Sequence, residues 1–457
     1  MHCQRRMAPQ MALQDRVEIP SGLDVLTHSI LREEKVYRTR NPGSEEQFRR
    51  AKRCMPGGTT RATVYFPPFP LTIERASNGR VYDVDGHGYL NFVGEYTAGV
   101  YGHDDSMTKR VLAAIGRHGT LLSGPTQHED KLARLICHRF GFDQIRFCNS
   151  GTEANLLALA LARHVTQRTG VLGFKGAYHG GSLVLMDGRD GLNVPVDMVL
   201  GQYNDVEGTR ALIRENAAKL GAIIVEPMMG AAGCIPALPE FLKMLRDVSR
   251  EHGIVLIFDE VMTSRLGPAG LQGELGIHAD LTTLGKYLGG GFSMGALAGI
   301  RELMACFDPA SGERYLSHGG TFNNNVASMI AGYIGLTEYF TEDAAMRLNA
   351  RGDKLRRNLN EVARSLGLPV QVTGIGSVMN LHLHDGDILC PSDIGGEGVD
   401  EFKRLFHLHM LNRGIYVAAR GLTTLNLNMH EAYIAAFEDE FSRFLEIYGR
   451  DLSACVG

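Results

Sequence analysis

Residues 254–291 read IVLIFDEVMTSRLGPAGLQGELGIHADLTTLGKYLGGG, and the fold of this 457-residue chain is decided there. Five apolar residues at 254–258, rich in β-branched side chains, predict a strand buried on both faces. The strand ends in two carboxylates, Asp259 and Glu260. In an open α/β sheet, ligands bind outside the carboxyl ends of the strands, so these acids stand where chemistry is done. Farther along, LTTLG delivers Lys286, followed by Gly289, Gly290 and Gly291, which reads as a flexible turn with little side-chain bulk. An ammonium among apolar and glycine neighbours is poorly solvated, which lowers its pKa and frees the amine as a nucleophile.

Taken singly, Asp259 reads equally well as a surface carboxylate and Lys286 as a solvated loop lysine. Taken together they match what pyridoxal phosphate requires of a protein, a lysine to form an imine and an acid to hold a pyridinium proton. Outward from this stretch, strand and helix patterns alternate. HEDKLARLICHRF is an amphipathic helix, QIRFCN a strand and GTEANLLALALARHVTQ a helix; VLGFKG, VLGQYN and AIIVEP are strands, with a helical segment at 241–251. Such interleaving predicts an α/β fold with a mostly parallel sheet covered by helices on both faces. Residues 21–54 are polar and helical up to Pro56-Gly57-Gly58 and read as an N-terminal arm. Short strands with turns at Ser77-Asn78-Gly79 and Asp85-Gly86 follow. Beyond Ala327, longer helices with the strands QVTGIGSVMNLHLH and GIYVAAR suit a smaller α+β domain. The expected division is 1–95 (arm and part of the small domain), 96–335 (large domain) and 336–457 (C-terminal small domain).

Asn149-Ser150-Gly151-Thr152 stands where a strand meets a long helix. Ser and Thr are strong helix caps, and the unpaired N–H groups there make an anion site. A plain cap remains the alternative for an isolated S-G-T. Val261 lies two residues past Asp259, so a continuing strand would point it to the same side.

These motifs resemble the class III, or ω-type, aminotransferases of pyridoxal phosphate fold type I, in which a D-E-V aspartate precedes the Schiff-base lysine. The resemblance runs from about residue 49 to about residue 427. Within the family the chain is most similar to the β-amino-acid branch, the β-phenylalanine aminotransferases, through FPPFPLTIERA, EYTAGVYGH, LARLIC, RFCNSGTEANL, FDEVMTSRL, DLTTLGKYLGGG and SHGGTFNNNV. The resemblance implies that Lys286 and Asp259 are catalytic and that Ser150, Gly151 and Thr152 hold the cofactor phosphate. It sets Tyr178 against one face of the ring, with His179 beside it in the cofactor site, and Val261 can pack on the other face. Thr321 reaches across a homodimer interface to the neighbouring phosphate. Glu226 belongs either to the hydrogen-bond network around the cofactor or to the structural frame. Arg61 matches an arginine that binds the amino-acid carboxylate, with a solvated loop arginine as the alternative. Arg420 matches the mobile arginine for the keto-acid partner, with a strand-end charge as the alternative.

An arginine fork binds a carboxylate directionally, and a transaminase must accept two different acids in turn. The function expected is amino transfer from a β-amino acid, such as β-phenylalanine, to 2-oxoglutarate or pyruvate. The alternatives are a glutamate-1-semialdehyde 2,1-aminomutase or an ω-amine transaminase of other specificity. The mutases share M-P-G-G, N-S-G-T-E-A and the lysine segment, but carry an acidic S-Q-F-E-A-G-F-type run where this chain has ARGLTTL.

A net charge of −4 suggests neither nucleic acid nor an anionic membrane as partner. No helix-turn-helix module accompanies the chain, which argues against a transcription regulator. The eight cysteines (Cys3, Cys54, Cys137, Cys148, Cys234, Cys306, Cys390, Cys455) show no framework spacing, and a reduced, cytoplasmic setting is expected. The apolar run at 155–162 is too short to span a bilayer. The basic opening MHCQRRMAPQMALQDR reads as a disordered tail rather than an organellar signal. His382 and His384, and His407 and His409, lack metal-ligand spacing; solvated histidines and no metal are expected.

Overall fold

A computed structural model describes residues 22–453. The basic opening segment, Cys3 and Cys455 lie outside the described residues. Strand Val255–Asp259 sits centrally, wholly buried, between parallel neighbours Leu220–Val225 and Leu281–Gly285. The full sheet has seven strands in the order Gln144–Cys148, Gly295–Gly299, Leu281–Gly285, Val255–Asp259, Leu220–Val225, Gly170–Phe174, Asp197–Gly201. Gly295–Gly299 alone among these runs antiparallel to both its neighbours.

Alternating side chains of the central strand enter two separate cores. Leu256 and Phe258 pack with Phe241, Leu242 and Leu245 of the helix Pro239–His252. Val255 and Ile257 pack on the other face with Ala158, Leu161 and Ala162 of the helix Gly151–Thr166. Burying each large apolar side chain contributes about 1.5–3 kcal/mol, so the helices are held to the sheet on both sides. One edge of the sheet is thereby left for function. The carboxyl ends of Gln144–Cys148, Asp197–Gly201, Gly170–Phe174, Leu220–Val225, Val255–Asp259 and Leu281–Gly285 all lie on it, because these six run parallel.

The chain's two ends build the rest together. Ile73–Ser77, Arg80–Asp83, Gly88–Asn91 and the late strand Ile415–Tyr416 form one sheet. Val370–Ile375, Val378–Leu383 and Leu422–Thr424 form another. The N-terminal helix Gly22–Arg40 docks on the C-terminal helices of its own chain. There the Glu33 carboxylate accepts from Asn412 Nδ2 at 2.7 Å and from the Tyr448 hydroxyl at 2.9 Å.

The expectation of solvated histidines is corrected here for three of the four. His382, His407 and His409 are all buried. His409 Nε2 lies 2.8 Å from Glu440 Oε1, and His407 Nδ1 donates to the Val417 carbonyl at 2.9 Å. Burial pushes the His407 imidazole down to about 4, the Val417 bond opposing. Alternation along a strand and a two-residue gap on a helix say nothing about which face the tertiary fold covers. No helix among the described residues is long and apolar enough to cross a membrane.

Candidate active site

Loops from the sheet's carboxyl edge meet over a cavity of about 720 Å³. Ser150, Gly151, Thr152, Tyr178, Glu226, Asp259, Val261 and Lys286 line it from that edge, and Arg61 lines it from the N-terminal segment. Asp259 is buried at the strand end. Its Oδ2 accepts from Asn155 Nδ2 at 2.8 Å and lies 2.9 Å from His179 Nδ1; its Oδ1 accepts from the Val261 amide at 3.1 Å. Burial pulls the Asp259 pKa up, but the His179 contact, the Val261 amide and the Asn155 amide outweigh it, and the carboxyl stays below its ordinary range. Glu260 faces away and accepts from the Leu271 and Gln272 amides, so adjacent acids have separate roles.

The strand does not continue past Asp259 as Val261's expected orientation assumed; the chain turns there. Val261 nevertheless lines the cavity, and a Cβ on Gly151 would lie 2.7 Å from its Cγ2. Lys286 opens a short 3-10 turn with a left-handed φ of 55°. Burial lowers its pKa, opposed by the charges of Asp259 and Glu226 and assisted by Arg420. Of the glycines after it, Gly290 is less free than it reads in the sequence. A Cβ on Gly290 would come within 2.4 Å of the Ala331 carbonyl carbon, so that position serves close packing.

Ser150 caps the helix Gly151–Thr166, its hydroxyl accepting from the Glu153 amide at 3.2 Å. Glu153 returns to accept from the Asn149 amide at 2.9 Å. The first-turn N–H groups, which a helix leaves without internal partners, stand at the cavity wall. Gly180, at φ 107°, makes room beside them: a Cβ there would sit 2.2 Å from Thr152 Oγ1. Glu226 holds the Tyr178 amide on Oε1 and the Gly230 amide on Oε2, each at 3.0 Å. Its pKa is raised, chiefly by burial.

Arg61 and Arg420 come together through a residue the motifs did not single out. The Arg61 guanidinium lies 5.9 Å, and that of Arg420 5.0 Å, from the ring centroid of Tyr96. Arg61 also pairs with Glu95 at 3.1 Å. His179 is wholly buried behind Asp259, and Thr321 is exposed and outside this cavity. Sequence reasoning missed Asn155, which joins Asp259 to Thr283 by accepting from the Thr283 hydroxyl at 2.6 Å. Its spacing of four from Gly151, one helical turn along the same face, was the available signal.

A family model for class III aminotransferases matches residues 63–427. The chain belongs to that family. It is 45% identical over 411 residues to a β-phenylalanine transaminase of Variovorax paradoxus, covering 90% of this chain and 94% of that one. A crystal structure of a β-phenylalanine aminotransferase from the same organism superposes with a TM-score of 0.91 at 43% identity, over 93% of this chain and 98% of that one. A transaminase solved with pyridoxal phosphate bound gives a TM-score of 0.81 at 30% identity, over 91% and 99%. The chain is a pyridoxal phosphate-dependent transaminase of fold type I. Its cavity fits the cofactor: a helix N-terminus for an anion, space kept by Gly180, a buried acid already held ionised, and a lysine with a lowered pKa.

Proposed function

We propose that this aminotransferase moves the amino group of a β-amino acid, such as β-phenylalanine, to 2-oxoglutarate or pyruvate. The observation that carries the reading is the pair of guanidiniums, Arg61 and Arg420, set against one tyrosine ring beside the cavity that holds Lys286. Two forks suit an enzyme that admits two different acids in turn. The identity to a β-phenylalanine transaminase supports the same donor class.

When bound, pyridoxal phosphate supplies an aldehyde that exchanges amines and a ring that takes up an electron pair. Lys286, as a free amine, would take the proton from the amine-bearing carbon as general base and deliver it as general acid to the carbon that had been the cofactor's aldehyde. Asp259 holds the proton on the ring nitrogen, and His179 and Asn155 hold Asp259 ionised. Ser150, Gly151 and Thr152 bind the phosphate. Tyr178 and Val261 would pack against the cofactor's ring from the cavity wall, and Glu226 fixes the Tyr178 backbone. Arg61 takes the donor's carboxylate and Arg420 that of the keto acid.

The active form is a homodimer in which Thr321 reaches the phosphate of the second subunit; its exposure outside its own cavity supports this. A division near residues 95 and 335, and a cytoplasmic setting, complete the reading. The sheet that pairs Gly88–Asn91 with Ile415–Tyr416 supports a small domain drawn from both ends of the chain.

The test is a donor and acceptor panel read by turnover and by the cofactor's spectrum. Conversion of the cofactor to its amine form by β-phenylalanine, with keto acid needed for turnover, is expected. Formation of 5-aminolevulinate from glutamate semialdehyde without any keto acid would instead establish the mutase.

A further inference from the structure

The guanidinium proposed for the donor's carboxylate already has one. Arg61 Nη1 lies 3.1 Å from Glu95 Oε2, and both residues line the cavity. Their side chains are 51% and 40% exposed, so water and solutes reach the pair, and an ion pair this open is cheap to exchange.

Glu95 is held in this position at a cost in backbone strain. Gly94, Glu95, Tyr96 and Thr97 have φ values of 48°, 51°, 54° and 81°, a left-handed run that three L side chains adopt only when their surroundings impose it. Those surroundings are on hand. The Gly94 amide donates to Asn91 Oδ1 at 3.1 Å, Arg265 Nη1 donates to the Thr97 carbonyl at 3.1 Å, and the Tyr96 hydroxyl donates to the Thr63 carbonyl. The last bond ties the segment to the stretch bearing Arg61. A surface ion pair formed by chance would need no such frame.

We propose that Glu95 is a resident carboxylate, occupying Arg61 in the substrate-free enzyme and exchanged for the carboxylate of the incoming donor, so that it sets the affinity of the site for acids. The proposal rests on Arg61 being the donor's carboxylate site. Without a resident acid, Arg61 would bind any small carboxylate; with one, a ligand must outcompete a tethered carboxylate and gains by filling the cavity as well. Exchange also leaves the net charge at Arg61 unchanged between the empty and loaded site. Tyr96 keeps the guanidinium in place while the anions change over.

The test compares a carboxylate with its neutral twin on the cofactor-loaded enzyme. Glu95→Gln keeps the shape and removes the charge. The Ki of 3-phenylpropanoate, divided by that of 3-phenylpropanamide, should fall about two- to five-fold, the range an exposed ion pair is worth. KM for β-phenylalanine should fall in step. A ratio that stays level or rises would mean that Glu95 merely positions Arg61, and overturns the proposal. Glu95→Asp, whose shorter side chain draws back from Arg61, should move the ratio in the same direction and carries the test if the glutamine variant does not fold. Arg61→Ala separates the two readings. If it leaves KM for β-phenylalanine unchanged, Arg61 is not the carboxylate site and both fall; if it raises KM while Glu95→Gln lowers nothing, only the role of Glu95 falls.

Discussion

His179 and Asp259 stand 80 residues apart in the chain and 2.9 Å apart in the fold, Nδ1 to Oδ2, with the imidazole wholly buried. The contact gives an acid at the end of a buried strand a reason to stay ionised where burial alone would protonate it.

His179→Phe removes that support. The carboxyl loses a bond and a charge that hold its pKa down, so its pKa rises. With Asp259 acting in its ionised form, as proposed, the acid limb of the kcat–pH profile should move to higher pH while the alkaline limb stays. An unmoved acid limb would show that His179 does not act through Asp259.

Lys286 has a lowered pKa, first through burial and with a further contribution from Arg420. Only the free amine combines with an aldehyde, so the rate at which cofactor-free protein takes up pyridoxal phosphate should rise with pH about a midpoint below the ordinary lysine value of 10.5. Arg420→Gln should shift that midpoint upward. Stopped-flow absorbance on the two proteins measures the difference.

Gly180→Ala places a methyl 2.2 Å from Thr152 Oγ1 at a φ of 107°. Overpacking of this kind costs about 1–3 kcal/mol. Cofactor affinity should drop by roughly five- to hundred-fold, read by titrating cofactor-free protein, with the far-ultraviolet circular dichroism unchanged.

Glu33 is pulled upward by burial but held down to about 2 by bonds from His409, Asn412 and Tyr448 and by the Arg413 charge. A depressed carboxyl contributes stability that is fully present above its unfolded value and is lost as pH falls through the folded one. Urea stability should therefore decline as pH drops from about 4.5 towards 2. Glu33→Gln should flatten that decline and cost about 3 kcal/mol near neutral pH, since Arg413 and His409 lose a buried anion.

The sequence marked Asp259 clearly because it ends an unmistakable apolar run, and Lys286 and Ser150 through the motifs around them, LTTLGKYLGGG and RFCNSGTEANL; parallel strands deliver all three to one edge. It marked Gly295–Gly299 poorly, since GALAG has neither β-branched residues nor alternation, and its antiparallel direction depends on partners far along the chain. Glu95 and Tyr96 stood at the head of the quoted run EYTAGVYGH, yet their roles were not legible, for a different cause. Their left-handed backbone is imposed by Arg265, Asn91 and Thr63, and no local pattern announces it. The buried histidines were misread because exposure is settled by which helix lies over them.

The seating of Glu33 against Asn412 and Tyr448 also governs when the molecule can be finished. On the ribosome the first helix emerges long before its seat exists, because Tyr448 is 415 residues downstream. Until the helix Val399–Asn412 has been made, the first helix rests only on near neighbours such as Phe66 and Phe69, and a nascent chain stopped before Asn412 leaves Glu33 without its amide partner however well the central sheet has formed.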